Sequence, residues 1–368
     1  MEVHFDSQTF MRQRSGGISR LFTDLISQFD ARPELGVTAS IPFRWSNNAH
    51  ITTDLAPRHL RMPPSWVPRG VLYAPNFVMG SRISRSAEIL HHTYYGRRFL
   101  KRPGRLLQVT TVYDMIPELF AGTPGSTGTH LSKQDYVAKC DLVICISEST
   151  RQDLLQTYGN IARKVVTIPL SVSKSFNPFH PPLARFPKDY LLYVGKREGY
   201  KDFRLLPQAV AALRDDGIDI PVIVVGSPFT DRELDALTQF GLMRSFTQVR
   251  LSDTELAKAY AHATALVQTS SYEGFGLTPL EGMASGAPVV IANASSMPEV
   301  GGDAAIYFTP GDADDLAQNL ASLLADDRAR TLARAKGLQQ ARLFTPELMA
   351  QRTADAYRSL LHKEGRND

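Results

Sequence analysis

Short, near-continuous apolar runs recur along this chain, each followed by a turn or a helical pattern. In the second half the runs are YLLYVG, PVIVVG, ALVQTS, PVVIAN and AAIYF. They show little alternation between apolar and polar residues, which marks strands covered on both faces and hence a parallel sheet wrapped by helices. The first half has the same character, with EVHF at 2–5, VTASIP at 37–42 and further runs at 88–91, 107–112, 141–146 and 165–168. Between the first two runs, Ile18, Leu21, Phe22, Leu25, Ile26 and Phe29 fall at helical spacing, so the chain opens as a βαβ unit. An α/β fold follows.

The chain has 368 residues, more than one hydrophobic core usually holds, so two domains are expected. The segment 171–189 contains four prolines and no clear period. We therefore expect an N-terminal Rossmann-like domain over residues 1–175, a linker at 176–189 and a C-terminal Rossmann-like domain over 190–345. A final helix at about 346–368 follows the last strand and is expected to cross back to the first domain. Two such units leave a cleft at the carboxyl ends of their strands, where open α/β sheets bind ligands.

Composition narrows the class. With 43% hydrophobic and 21% charged residues the chain resembles an ordinary globular protein. Cys140 and Cys145 are too few for a disulfide framework and lack companions at metal-ligand spacing, so they read as small hydrophobes in a reducing compartment. The opening MEVHFD is unlike a signal peptide and no run approaches a membrane span, which gives a cytoplasmic expectation. Charge is uneven: residues 1–180 carry 21 basic and 13 acidic side chains, a net +8, and the remainder carries 20 and 24, a net −4. Between 61 and 108, nine basic residues (Arg61, Arg69, Arg82, Arg85, Arg97, Arg98, Lys101, Arg102 and Arg105) face Glu88 alone. Such a stretch is either a solvated surface or a face for something anionic. It has no nucleic-acid reading motif and few aromatics, Tyr94, Tyr95 and Phe99, so nucleic acid is not an expected partner.

Three strand-to-helix loops carry chemistry. In the first, Gly16 and Gly17 follow the first strand and open the first helix, where backbone N–H groups can approach an anion, although the loop lacks the G-x-G-x-x-G pattern of dinucleotide sites. The second, after YLLYV, places Lys196, Arg197 and Lys201 among glycines at a strand's carboxyl end, as neutralising a diphosphate requires. The third is Ser270 through Met283, SSYEGFGLTPLEGM. Here Thr278 suits an N-cap, Pro279 the first helical position and Glu281 the third, so one reading of Glu281 is a capping-box carboxylate. Free N–H groups at Gly276 and Leu277 could donate to sugar hydroxyls or phosphate oxygens. Glu273 has no comparable local role, which points to binding of ligand hydroxyls. Asp312-Ala313-Asp314, the D-x-D of the chain, sits where a helix begins and reads as a cap rather than a metal clamp.

EGFGLTPLE with GMASGAPVV and SSMPEVGGDAAIYF resembles the signature of the group 1 (family 4) retaining glycosyltransferases of the GT-B fold. VGKREGYKDF, VYDMIPELF and ISESTRQDLL resemble further blocks of that family, above all its members that build bacterial surface polysaccharides with mannose-like sugars. The resemblance runs from about 16 to 308. It implies a nucleoside-diphosphate sugar as donor, a GDP-sugar such as GDP-mannose first and UDP-sugars next, a saccharide or lipid-linked acceptor, no cofactor and no metal. It implies that Glu273 contacts the donor sugar, Glu281 the ribose hydroxyls, and Lys196 and Lys201 the diphosphate with Arg197 beside them. The main chain of Gly274, Phe275, Gly276 and Leu277 then holds sugar hydroxyls and the distal phosphate, with Gly16 and Gly17 near the phosphates from the other domain.

Two departures from the pattern matter. Where many relatives have His-Asp, this chain has Tyr113-Asp114, so Asp114 remains a catalytic candidate while the histidine role passes to His92 or His91 on the preceding strand. The family's GFGLP is GFGLT, with Pro279 still supplying a helix start. Rival readings are an epimerase or phosphorylase of the same architecture and a non-enzymatic nucleotide-sugar binder. A lipid-linked acceptor would bring the basic stretch to an anionic inner-membrane surface.

Overall fold

Parallel strands cannot be joined by tight turns, and every strand among the described residues pairs parallel, so these strands are linked by crossovers. The computed structural model describes residues 1–12, 16–41, 48, 50, 83–96, 106–120 and 132–363. Most of the basic stretch, Arg61, Arg69, Arg82, Arg97, Arg98, Lys101, Arg102 and Arg105, therefore lies outside the described residues.

The chain divides into two units. One comprises Met1–Glu118, Thr127–Ser171 and Pro346–Asp368; the other Leu119–Ser126 and Val172–Thr345. The first holds β1 (Glu2–Phe5), β2 (Thr38–Ser40), β3 (Ile89–His92), β4 (Leu107–Val112), β5 (Leu142–Cys145) and β6 (Val165–Thr167) in the order β2-β1-β3-β4-β5-β6. β3, β4 and β5 are buried along their whole length, as their unbroken apolar runs require. Cys145 lies in β5, and both cysteines are buried and not joined in a disulfide. The final helix, Pro346–Lys363, packs on the helix Gly17–Ala31 of this first unit. Tyr357 sets its ring against Phe29 at 6.4 Å, while Lys164 Nζ donates to Ser359 Oγ at 2.7 Å.

The second unit holds β7 (Leu191–Val194), β8 (Val222–Val225), β9 (Phe246–Val249), β10 (Ala265–Gln268), β11 (Val289–Ala292) and β12 (Ile306–Phe308) in the order β12-β11-β10-β7-β8-β9. Counted within the unit this is the Rossmann order 3-2-1-4-5-6, whose direction reverses between β7 and β10. In the first unit the corresponding reversal falls between β1 and β3. Ligands of open α/β sheets bind outside the carboxyl ends of the strands at such reversals. The segment expected as a linker belongs to the second unit: Val172 N–H donates to the Phe344 carbonyl at 3.0 Å, and buried Phe176 sets its edge against Tyr260 at 5.8 Å. Phe186 likewise packs edge-to-face with Tyr190, whereas Phe179 is exposed.

Sharp helix starts keep the loops short. Ser147, Thr230, Ser252, Asp312 and Asp326 each cap a helix with their side chains. Asp312 thus accepts from the N–H groups of Asp314 and Asp315. Among the described residues no helix is long and apolar enough to cross a membrane, and no cluster of His, Cys, Asp and Glu is arranged to hold a metal ion.

Candidate active site

In the second unit the reversal point brings two loops together. β7 ends at Val194, and Gly195, at φ +133°, turns the chain where an L side chain would be strained. Tyr193, buried in the core, donates its hydroxyl to the Lys196 carbonyl at 2.8 Å and fixes the loop from below. A single turn of 3-10 helix at Gly199–Lys201 then swings Lys201 toward β10. From the other side, β10 ends in buried Gln268, and the loop beyond it carries Glu273.

Lys201 Nζ donates to Glu273 Oε1 at 2.6 Å, and Gln268 Nε2 donates to the same oxygen at 2.9 Å. Both protein donors converge on one carboxylate oxygen, and among the described residues Oε2 has no partner. The pair is 16% and 15% exposed, shielded enough for its charges to matter yet open to a ligand. The loop itself is pinned by serines. Ser295 Oγ accepts from Glu273 N–H at 2.8 Å, and Ser296 Oγ donates to the carbonyls of Glu273 and Phe275 at 2.9 and 2.8 Å. Ser295 holds φ +47° to do so, a conformation that costs an ordinary residue about 1–3 kcal/mol and persists where surrounding structure imposes it.

The helix after this loop runs Leu277–Ala284 with Gly276 as N-cap at φ +112°. It starts earlier than the Thr278 cap expected from sequence, so Glu281 is its fifth residue and not a capping-box carboxylate. Glu281 accepts instead from the Tyr260 hydroxyl at 3.2 Å. Helix geometry leaves the N–H groups of Leu277 and Thr278 without intrahelical acceptors, at the positive end of the helix dipole. Gly274, Phe275 and Gly276 are buried beneath them.

The three cations separate. Lys196 is exposed, with no ion pair among the described residues. Lys201 holds Glu273. Arg197, expected with the donor-binding set, is turned away: it grips Glu233 with Nε at 2.6 Å and Nη2 at 3.1 Å, donates to the carbonyls of Ser227 and Pro228, and stacks over Phe203 and Phe229. Its fork is committed to anchoring the loop to the helix Asp231–Gln239.

The first unit has a second cluster at its own reversal point. Asp6, directly after β1, is buried and accepts from Thr93 N–H at 3.0 Å, Thr93 Oγ1 at 2.7 Å, Gln8 Nε2 at 2.6 Å and His92 Nδ1 at 2.8 Å. Burial raises its pKa, but the hydrogen bond and charge of His92, with the bonds from Gln8 and Thr93, outweigh that and hold it below the usual carboxylate range. The role of Asp6 was not read from sequence; its position immediately after the first strand was the available signal. His92 is 1% exposed, with Nδ1 on Asp6 and Nε2 on Gln108 Oε1 at 3.2 Å, so it presents neither nitrogen to a ligand. His91 is also buried, between Tyr357 and Thr111, and burial depresses its pKa to about 3. Asp114 stays half-buried after β4, where Oδ1 accepts from Ile116 N–H at 3.1 Å, while the neighbouring Tyr113 hydroxyl donates to the Thr93 carbonyl at 2.9 Å. Gly16 opens the second helix and not the first, since the short helix Gln8–Arg12 follows β1; it stands at the N-cap of Gly17–Ala31, and its N–H donates to His50 Nε2 at 3.4 Å.

Two parallel Rossmann-like sheets, each with a polar cluster at its reversal point, define a GT-B protein. Solved structures agree. Sucrose-phosphate synthase from Thermosynechococcus elongatus aligns over 98% of this chain and 99% of its own, with a TM-score of 0.76 at 20% identity. HepE from Anabaena, solved with UDP and glucose, aligns over 98% of this chain and 100% of its own, with a TM-score of 0.71 at 18% identity. The sequence model described as glycosyl transferases group 1 matches residues 179–340. O-antigen chain mannosyltransferase B of Escherichia coli is 31% identical over 288 residues, 73% of this chain and 74% of that protein. The serotype-specific mannosyltransferase WbdA of Escherichia coli is 25% identical over 280 residues, 71% of this chain but only 34% of WbdA's own length. The chain belongs to the group 1 glycosyltransferases, among relatives that are mannosyltransferases.

Proposed function

We propose that this glycosyltransferase moves a mannose-like hexose from a nucleoside-diphosphate sugar, with retention of configuration, onto a saccharide or lipid-linked saccharide in the assembly of a bacterial surface polysaccharide. The observation that carries the donor reading is the Lys201–Glu273 pair at the reversal between β7 and β10, with Glu273 Oε2 left to accept hydroxyl hydrogens of the sugar. The relative named for O-antigen chains supports the polymer and the mannose-like sugar, and makes GDP-mannose the first donor to try. A UDP-sugar is second, since HepE was solved with UDP and glucose.

Each group then has work to do. The bond from the anomeric carbon to the phosphate oxygen breaks, the acceptor oxygen bonds to that carbon on the same face, and the departing phosphate takes the acceptor's proton. Charge grows on the diphosphate and on the sugar ring. Lys196, Lys201 and the N–H groups that open the helix Leu277–Ala284 stabilise the first, and Glu273 orients the sugar and favours the second. Glu281 binds the ribose hydroxyls. Asp114 is assigned to the acceptor side. No metal or cofactor takes part in this scheme.

Thermal melts against GDP-mannose, other GDP-sugars and UDP-sugars test the donor. A ligand at 100 times its dissociation constant adds about 2.7 kcal/mol, and no stabilisation by any of them overturns the proposal. We further propose that the basic stretch docks on an anionic bilayer beside a lipid-linked acceptor, each cation contributing about 1 kcal/mol within a Debye length of about 8 Å. Salt-sensitive sedimentation with phosphatidylglycerol vesicles, lost when Arg97, Arg98, Lys101 and Arg102 become Ser, supports this; protein left in the supernatant at low salt refutes it.

A further inference from the structure

Glu281 lies on the fifth residue of a helix whose N-terminus faces the donor loop, and its carboxylate does not cap that helix. Its Oε2 accepts from the hydroxyl of Tyr260, 21 residues earlier on the helix Asp253–His262. Tyr260 has no solvent exposure, and its ring lies edge-to-face with that of Phe176, their centroids 5.8 Å apart. A buried phenol thus holds one oxygen of the Glu281 carboxylate from the protein side.

We infer that Tyr260 is a positioning residue for ribose recognition: through its hydroxyl it fixes the carboxylate of Glu281 so that the carboxylate can accept the vicinal hydroxyls of the nucleotide's ribose. The inference rests on the proposed assignment of Glu281 to the ribose. Its physical basis is entropic and directional. A free glutamate side chain loses about 1.5–2 kcal/mol of rotamer freedom when it is ordered, so a carboxylate already held by a buried donor binds its ligand with less of that loss. A hydroxyl pair on adjacent ring carbons also demands one carboxylate plane, which a second donor from the protein side selects. Tyr260 touches no ligand in this account and acts only through Glu281.

The test uses GDP and UDP against their 2′,3′-dideoxy counterparts, with dissociation constants from calorimetry on the intact chain. Wild type should prefer the ribose form of whichever nucleotide binds by about tenfold or more, and Glu281→Gln should remove most of that preference. Tyr260→Phe keeps the buried ring. It should shrink the preference about three- to tenfold, leave the dideoxy affinity unchanged within about twofold, and add little in the Glu281→Gln background. If wild type binds ribose and dideoxy forms alike, the assignment of Glu281 fails and takes the inference with it. If wild type and Glu281→Gln behave as expected but Tyr260→Phe keeps the full preference, or weakens both forms equally, the inference alone is overturned. Should Tyr260→Phe lose its cooperative melt, 3,5-difluorotyrosine at position 260, which keeps the ring and changes the acidity of the hydroxyl that Glu281 accepts from, is read by the same ratio, and an unchanged ratio overturns the inference.

Discussion

Replacing Glu273 by Gln changes one thing at the proposed donor site. Lys201 and Gln268 both donate to Oε1, so an amide oxygen in that place keeps both partners in uncharged form. The amide nitrogen then stands where Oε2 was, turning an acceptor for sugar hydroxyls into a donor that opposes them. A hydrogen bond to a charged group contributes about 1.5–3 kcal/mol, so losing one or two such bonds raises the barrier by about 2.7 kcal/mol or more, a fall of at least about 100-fold in kcat/KM. Stability should change little. The pair is 16% and 15% exposed, and its lysine keeps an oxygen partner, so the cost stays near about 1 kcal/mol, or about 2–4 °C in Tm. The assay is nucleoside-diphosphate release with donor and acceptor, run beside a thermal melt. A variant that melts like wild type and turns over at near-normal rate refutes the assignment of Glu273, while one that fails to fold shows that the pair serves the fold.

The two lysines should separate by ligand. Lys196→Ala and Lys201→Ala are each expected to weaken a nucleoside diphosphate more than the monophosphate, measured by calorimetry, and Lys201→Ala should also deprive Glu273 of its ion pair; equal losses for both nucleotides place the lysines away from the distal phosphate. His91 gives a pH signature. It is held neutral in the folded chain with its pKa near 3, whereas an unfolded histidine titrates near 6.5, so only the unfolded chain gains this proton in between. Its contribution is fully present above about pH 6.5 and is lost on acidification by up to about 1.4 kcal/mol per pH unit. His91→Phe, among Phe5 and Phe22, should flatten that slope in urea unfolding at pH 7.5 and 5.5, and an unchanged slope contradicts the reading.

The sheets were legible because buried parallel strands leave long apolar runs. β9, FTQV, was not read: it lies at a sheet edge with only Phe246 buried, so its sequence carries no such run. Loop chemistry was legible by residue type and not by direction. Lys201 and Arg197 stand four positions apart in one Gly-rich loop, and the turn at Gly199–Lys201 sends one to Glu273 and the other to Glu233. The helix at Leu277 begins on a glycine in the left-handed region, a tertiary choice that overrides the local Thr-Pro signal for a later start. His92 looked like an available strand-end base; its burial against Asp6 and Gln108 depends on partners distant in sequence, which spacing cannot show.

Transfer of a sugar with retention is read from the anomeric configuration of the product. The nucleotide sugar selected by the melts is supplied with oligomannoside acceptors, and the new linkage is read by NMR from the coupling between the anomeric carbon and its hydrogen. An α-linked donor giving an α-linked product, with one nucleoside diphosphate released per bond formed, is the predicted result. A β-linked product, or release of free isomerised sugar without transfer, would contradict it.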